Sequence, residues 1–497
     1  MSTRTALTIL TPALVAGAWL VGCGGSSGGG AGAVAPGATA AATTSAASSA
    51  PVSSPAAAPA TLPRLTIQGT RFLDPHGRTV FLRGANYSHR TKTAPHWQWQ
   101  RESHLAEMRA WGFNCVRYLL LWKLVEPQPG QIDQAYLDHV VQVLDWCERQ
   151  GLYVLVDMHQ DLYCELFGGD GAPTWAAVDH LVTPNELVHP WFLTYFTREV
   201  QASFDRLWTD AALQDHFAGA WKAVAERVRG RSCVIGYNLI NEPSSGTELP
   251  WDCERGSLRR FYERVIAEVQ TVDPEAVFFL EPLAATSDFG IPSQLTPPPG
   301  VRAVWAPHFY DPFLAAGAPW SGEWVAELGY GVHATQAASF GLPLFVGEFG
   351  APRQHPDVRQ ALDAECRAME RRLVPGWTVW NHNPDPATNS VLEEDILVLD
   401  DPRHGEHPAL DALVRPYAAA VAGEPVEVAF DLSTRTLRVA VDRVDPTLPT
   451  VIRLPVRHYP AAPQVQGPGR WVYEAGLGEL HWWGDPAAGR NVLTVTP

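Results

Sequence analysis

The chain has no run of Lys or Arg longer than a pair, and its 37 basic side chains face 53 acidic ones, a formal charge of −16. A surface of that sign repels a phosphate backbone, which excludes nucleic acid as a partner. No CxxC, HExxH or His/Cys cluster at metal-ligand spacing occurs, so no metal is expected, and His89, His96 and His104 read as a polar loop. No glycine-rich phosphate turn follows the first strand-like segment, which removes the usual mark of a nucleotide-binding fold. Charged residues are few, 18% against 46% apolar, and the apolar ones fall in short dense blocks, so a wholly disordered chain is excluded. A length of 497 residues predicts one large domain plus a smaller one. Nineteen Trp residues stand out. Flat indole rings suit a dense core, and they equally suit the covering of sugar faces or lipid.

The N-terminus reads as an address. Residues 6–22 form an apolar stretch after Arg4, interrupted by Pro12 and ending in Leu20-Val21-Gly22-Cys23. This is a secretory signal core, short for a permanent membrane span. Its ending resembles a bacterial lipobox, which implies lipidation of Cys23 and makes residues 1–23 the signal and anchor site. Residues 24–61 are nearly all Gly, Ala, Ser, Thr and Pro without charge, a tether whose coil extends roughly 30–37 Å. The expectation is an exported protein, anchored at the cell surface or secreted. Export permits disulfides, and a Cys164–Cys253 bridge is expected because both residues fall in loops after predicted strands.

A hairpin is predicted at 65–73 and 79–86 around Asp74-Pro75-His76-Gly77. Strand-like blocks then recur at 81–87, 113–118, 153–160, 234–243, 277–282, 303–310, 344–350 and 377–381. Helical patterns separate them, as at 135–149, 214–229, 258–272 and 358–372, with apolar residues at three- and four-residue steps. Eight strands with crossover helices predict an α/β fold, a (β/α)8 TIM barrel over 62–422. From 423 the pattern alternates, at Val426-Glu-Val-Ala-Phe, Leu437-Arg-Val-Ala-Val, Val451-Ile-Arg-Leu, Trp471-Val-Tyr and Val492-Leu-Thr-Val. This predicts a C-terminal antiparallel β-sandwich over 423–497, either flanking the barrel or docking sugar or membrane through Trp482-Trp483.

In such a barrel the chemistry collects at the C-terminal ends of the strands. Those ends carry Asn86, Arg117, Asp157 to Asp161, Asn241-Glu242-Pro243, Glu281, His308 to Tyr310, Glu348 and Trp380 to Asn383, whereas the strand interiors are apolar. Folding does not demand that pattern. Glycoside hydrolysis needs two carboxyl groups in different protonation states, and Glu242 and Glu348 are the best pair, on strands four and seven across the mouth. Arg117 and Tyr310 are placed to hold Glu348 charged, while burial and the charge of Glu348 would raise the pKa of Glu242. Asn241 would bond the sugar 2-hydroxyl and Trp380 would form a stacking floor.

Asn241-Glu242-Pro243 with Gly347-Glu348-Phe349-Gly350 resembles retaining glycoside hydrolase family 5. Leu82-Arg-Gly-Ala-Asn86, Asp157-Met-His-Gln-Asp161, Gly169-Asp-Gly-Ala-Pro-Thr-Trp175 and Ala418-Ala-Ala-Val-Ala-Gly-Glu-Pro425 are similar to its endoglycoceramidase branch. The resemblance implies two-step retaining cleavage between glycan and ceramide, of endoglycoceramidase or endogalactosylceramidase type. It makes Glu348 the nucleophile and Glu242 the acid/base, with no cofactor. It places Lys92, His159, Asp161, Asn241, His308, Tyr310 and Trp380 on positions that bind the sugar or order the nucleophile. The loop at 162–171 is short, which lowers the glycan wall. Trp191-Phe192, Tyr195-Phe196, Phe313-Leu314 and Trp320 are apolar loop residues that would grip acyl chains or touch a membrane. A monomer is expected. A secreted endo-β-glucanase or mannanase, or a non-catalytic glycolipid-binding lipoprotein, are the competing readings.

Overall fold

The computed structural model describes residues 62–87, 89–178, 191–382 and 407–497. The signal, Cys23, the tether and positions from 383 in the loop after the eighth strand lie outside the described residues. Eight parallel strands form one sheet: in chain order Leu82–Tyr87, Cys115–Leu121, Tyr153–His159, Val234–Asn238, Phe278–Leu280, Ala303–Trp305, Phe345–Val346 and Gly376–Val379. Each lies within or against a predicted block. Strands six and seven meet through a parallel bridge between Trp305 and Leu344, where the Trp305 N–H donates to Pro343 O at 3.0 Å, so the barrel closes. Apart from Arg83, Asn86, Arg117 and Asp157, the interiors of the first three strands are apolar, and they are buried on both faces because helices cover the outside.

The helices follow from their caps and spacing. Gln134–Gln150 starts at Asp133, whose carboxylate accepts from the N–H groups of Ala135 and Tyr136, and stops at Gly151 in the left-handed region (φ 69°). Between them Leu137, Val140, Val143, Leu144 and Cys147 recur at three- and four-residue steps and are buried. Ala211–Val228 is capped the same way by Asp210.

The structure redraws the ends of the chain. The predicted strand at 65–73 is itself a hairpin, Thr66–Gln68 with Arg71–Leu73, turned at Gly69 (φ 56°). Its partner divides at Phe81. Thr79–Val80 continues the hairpin, and Leu82–Tyr87 begins the barrel. The hairpin joins a seven-stranded sheet with Tyr417–Val421, Thr450–Arg453, Glu479–Trp483 and Arg470–Glu474. The sandwich therefore includes a strand on the barrel side of position 423, and the N-terminal residues complete it. A four-stranded sheet of Glu424–Asp431, Thr436–Asp442, Arg490–Thr496 and Gln464–Gln466 forms the second layer. Phe72 of the hairpin stacks on Phe279 of strand five, 6.4 Å between centroids, and seals the barrel floor.

One expectation and one of two alternatives fail here. Cys164 and Cys253 are both free thiols, each buried among apolar neighbours, and burial pushes each thiol up to about 12. Loop position in the sequence did not bring them together. Trp482 is not a docking platform, because it points into the sandwich core and its indole donates to Pro468 O at 2.8 Å. Trp483 lies under the Arg470 guanidinium at 3.7 Å.

Candidate active site

Arg117, near the middle of strand two and wholly buried, organises the mouth. Its Nη1 donates to Glu348 Oε1 at 2.6 Å and to Asn86 Oδ1 at 2.9 Å. Its Nη2 donates to Asn241 Oδ1 at 2.7 Å and lies 2.9 Å from Asp157 Oδ1, and Nε donates to Asn238 Oδ1 at 3.0 Å. A guanidinium has five donors in a fixed fork, so one residue sets the position of strands one, three, four and seven together. Tyr310 donates to the other Glu348 oxygen at 2.8 Å. The backbone brings them together: Phe309–Tyr310 pairs in parallel with Phe349–Gly350, just past Glu348. Gly347 must be glycine, since a Cβ there would sit 2.8 Å from His308 Nε2. Its carbonyl accepts from Asn86 and Thr378.

Glu242 leaves strand four in a left-handed conformation (φ 39°), a strain of about 1–3 kcal/mol that needs support from neighbours. The support is visible. Its N–H donates to Glu281 Oε1 at 2.6 Å, and Gln160 Nε2 donates to the carbonyls of Asn241 (2.8 Å) and Glu242 (2.9 Å). Glu242 Oε1 lies 2.8 Å from His308 Nδ1, which is 3.8 Å from Glu348 Oε2. An oxygen of each glutamate and a His308 nitrogen lie within 4.8 Å of one another. That is the close spacing of retaining glycosidases, about 5–5.5 Å, and too near for the interposed water of an inverting pair. Burial, then the charge of Asp161, pushes the Glu242 carboxyl up to about 7. The neighbouring charge responsible is therefore Asp161 rather than Glu348. Burial pushes His308 down to about 3, so its imidazole is neutral.

A second cluster adjoins the first. Lys92 forms an ion pair with Asp161, and its ammonium stands 4.3 Å from the Trp380 ring centroid. His159 stacks on Trp380, centroids 5.4 Å apart and planes 8° from parallel. Its Nδ1 lies 2.9 Å from Asp157 Oδ2 and its Nε2 3.5 Å from Asp161 Oδ2. Burial and Lys92 oppose its charge, but the two aspartates win and raise it to about 9. Asp170 reaches the cluster because its backbone bridges that of Asp161, with Asp170 N–H donating to Asp161 O at 2.8 Å. Burial pushes Asp170 up to about 6, with Asp161 adding to the shift and Lys92 opposing it.

All ten barrel residues singled out from the sequence, Glu242, Glu348, Lys92, Arg117, His159, Asp161, Asn241, His308, Tyr310 and Trp380, converge on this mouth. Asp157, Gln160, Glu281 and Asp170 belong with them although sequence reasoning assigned them no role. The first three stood at strand ends, which was the available signal; Asp170 stood in the segment Gly169-Asp-Gly-Ala-Pro-Thr-Trp175, whose resemblance to the endoglycoceramidase branch was its signal. The apolar loop residues divide: Leu314 is core, Phe313 and Trp320 are half-buried, and Phe196 is 60% exposed. The side chain of Trp191 lies outside the described residues. Leu249, Trp251, Phe289, Trp324 and Leu328, all on segments that follow barrel strands, are also exposed.

Residues 73–386 match the model of cellulase (glycosyl hydrolase family 5), and residues 415–496 match the glycoside hydrolase family 5 C-terminal domain. Endoglycoceramidase I of Rhodococcus hoagii is 32% identical over 444 residues, 83% of this chain and 84% of that protein. The ganglioside GM3 complex of endo-glycoceramidase II from Rhodococcus sp. is 29% identical with a TM-score of 0.77, covering 86% of this chain and 100% of that one. Its lactosyl-enzyme intermediate is 29% identical with a TM-score of 0.74, covering 86% and 99%. A covalent glycosyl-enzyme belongs to retaining chemistry, which the close carboxyl pair also fits. The chain is a retaining glycosidase and belongs to glycosyl hydrolase family 5, in its endoglycoceramidase-like branch.

Proposed function

We propose that this protein hydrolyses the bond between glycan and ceramide in glycosphingolipids, as an exported enzyme tethered to a membrane by acylated Cys23. The observation that carries the reading is the Glu242–Glu348 pair within 4.8 Å at a barrel mouth. Glu348, oriented by Arg117 and Tyr310, attacks the anomeric carbon while Glu242 protonates the leaving oxygen. Glu242, now a carboxylate, then takes a proton from the water that releases the sugar. Asn241 donates one amide hydrogen to Gln160 O at 3.0 Å, which leaves the other for the sugar 2-hydroxyl. The Lys92–Asp161 pair and His159 meet the remaining hydroxyls, and Trp380 stacks on the ring.

The lipid side of the reading is supported by the two Rhodococcus relatives and by the exposed Trp251, Phe289, Trp324 and Leu328 on segments that follow barrel strands, which suit acyl chains or a bilayer surface. A panel of glucosyl-, galactosyl-, lactosyl- and ganglioside-type ceramides beside cellulose and mannan tests it. Release of free ceramide is expected; turnover of polysaccharide with none of any glycosylceramide would end the ceramide assignment. Cys23→Ser is expected to move the protein out of the membrane fraction, and unchanged partitioning would refute the anchor.

A further inference from the structure

Glu281, at the end of strand five, is wholly buried behind the acid/base glutamate and takes no part in the steps above. Its Oε1 accepts the Glu242 N–H at 2.6 Å, and its Oε2 accepts from Asn238 Nδ2 at 3.2 Å. The same Oε2 is 3.4 Å from His308 Nε2, while His308 Nδ1 lies 2.8 Å from Glu242 Oε1. His308 therefore stands between two carboxyl groups, one near each ring nitrogen, and its buried Nε2 has no other hydrogen-bond partner among the described residues. We infer that Glu281 is a positioning residue of the acid step: its carboxyl O–H donates to His308 Nε2, which makes His308 Nδ1–H a donor to Glu242 and keeps the Glu242 proton on the oxygen that faces the leaving group.

A neutral imidazole has one donor nitrogen and one acceptor. If Nε2 carried the proton, Nδ1 would be the acceptor, and the nearest hydrogen for it would be that of Glu242. The catalytic proton would then point into the protein, away from the sugar. With the proton on Nδ1, Oε1 of Glu242 is occupied as an acceptor and its hydrogen resides on the other oxygen. The arrangement also follows the reaction. Glu242 loses its proton to the leaving oxygen, its new carboxylate receives a stronger bond from Nδ1–H, and the water of the second step returns a proton to Glu242. Glu281 and His308 keep theirs throughout.

The surroundings agree. Arg117, 3.7 Å from Glu281 Oε2, favours its charge, but burial and the charges of Glu242 and Asp157 prevail and hold it well above the carboxylate range. The groups facing His308 are Glu348, Arg117, Asp157 and His159, with His333 behind it, and burial outweighs them in keeping it neutral. Asp288 and Tyr262 complete the shell around Glu281, the latter donating to its carbonyl at 2.6 Å.

This inference rests on Glu242 being the acid/base. Histidine-selective 15N NMR, with the His308 signal identified by its loss in His308→Asn, should show Nδ1 protonated and Nε2 bare. Glu281→Gln, whose amide N–H replaces the acid O–H, should keep that tautomer and hold kcat on glycosylceramide within about tenfold of the parent. Glu281→Met, which has no donor, should lose about 100-fold or more on glycosylceramide but less than about tenfold on a nitrophenyl glycoside, whose leaving group needs little protonation. An Nε2-protonated His308 in the parent, or a Glu281→Gln enzyme that loses more than about tenfold on both substrates, overturns the assignment, and both can be read even if Glu281→Met does not fold. Failure of the acid/base reading looks different: Glu242→Ala would then show no dependence on the leaving group.

Discussion

Two arginines on neighbouring strands of this barrel are both buried, and their surroundings differ completely. Arg83, on the floor side of strand one, lies against Phe81, Trp377 and Tyr417, each ring centroid 5.3–5.8 Å from its guanidinium, and donates to the Leu82 and Pro375 carbonyls. Among the described residues no carboxylate pairs with it, and burial lowers it to about 10. Arg117, facing the mouth from strand two, has three carboxyl groups within 3.7 Å, which raise it against the same burial. The floor disperses a buried charge into rings and carbonyls, and it is inert. The mouth crowds acids around one cation until some must stay protonated, and a carboxyl that bears a proton near neutral pH is the reagent a glycosidase needs.

The contrast can be broken most forcefully at Glu348. Glu348→Gly should lower turnover of an activated aryl glycoside by on the order of 10⁴-fold or more, with partial return when formate or azide is supplied, because the missing nucleophile can then come from solution. Retention of most of the rate would remove the covalent step. Next comes Glu242→Ala, expected to lose about 10²–10⁴-fold on glycosylceramide and far less on the aryl substrate. In the parent, kcat/KM should fall as pH rises through about 7, since the acid must be protonated to act and its carboxyl sits near that value. A basic limb that survives unchanged in Glu242→Ala would assign that ionisation elsewhere.

The floor should respond in stability instead. Arg415 pairs with Glu370 and Asp363 and donates to Phe430 O, tying the barrel to the sandwich. Arg415→Met leaves those acids unpaired and should lower unfolding stability by roughly 3 kcal/mol, read by denaturant titration, with kcat per folded molecule unchanged. Loss of kcat at constant stability would mean the two poles are not separable. Trp324→Ala with Leu328→Ala should raise the apparent KM several-fold on vesicle-borne glycolipid and leave a soluble aryl glycoside unaffected; an equal effect on both would count against lipid contact. The smallest effect is expected at Trp471, 43% exposed on a sheet edge, where Ala should change stability by less than about 0.5 kcal/mol and activity not at all.

The barrel and its reactive pair were legible in the chain because both are written in short range. Strands announce themselves as apolar blocks, helices by their three- and four-residue spacing, and Glu242 and Glu348 by being charged where an apolar block ends. The sandwich was legible only in part, since Tyr417–Val421 is a run of small residues without alternation and its partner Thr79–Val80 comes more than 330 positions earlier. Asn238 was hidden because it stands inside the apolar block read at 234–243, and only folding makes it the end of strand four and turns it towards Arg117. Cys164 and Cys253 show the converse error, a similarity of local setting that space did not honour. Sequence alone determined which residues carry charge and which strands present them. Tertiary structure decided how many acids share one cation, and therefore which of them keeps its proton, because Coulomb energy and desolvation depend on distances and burial that no local pattern encodes.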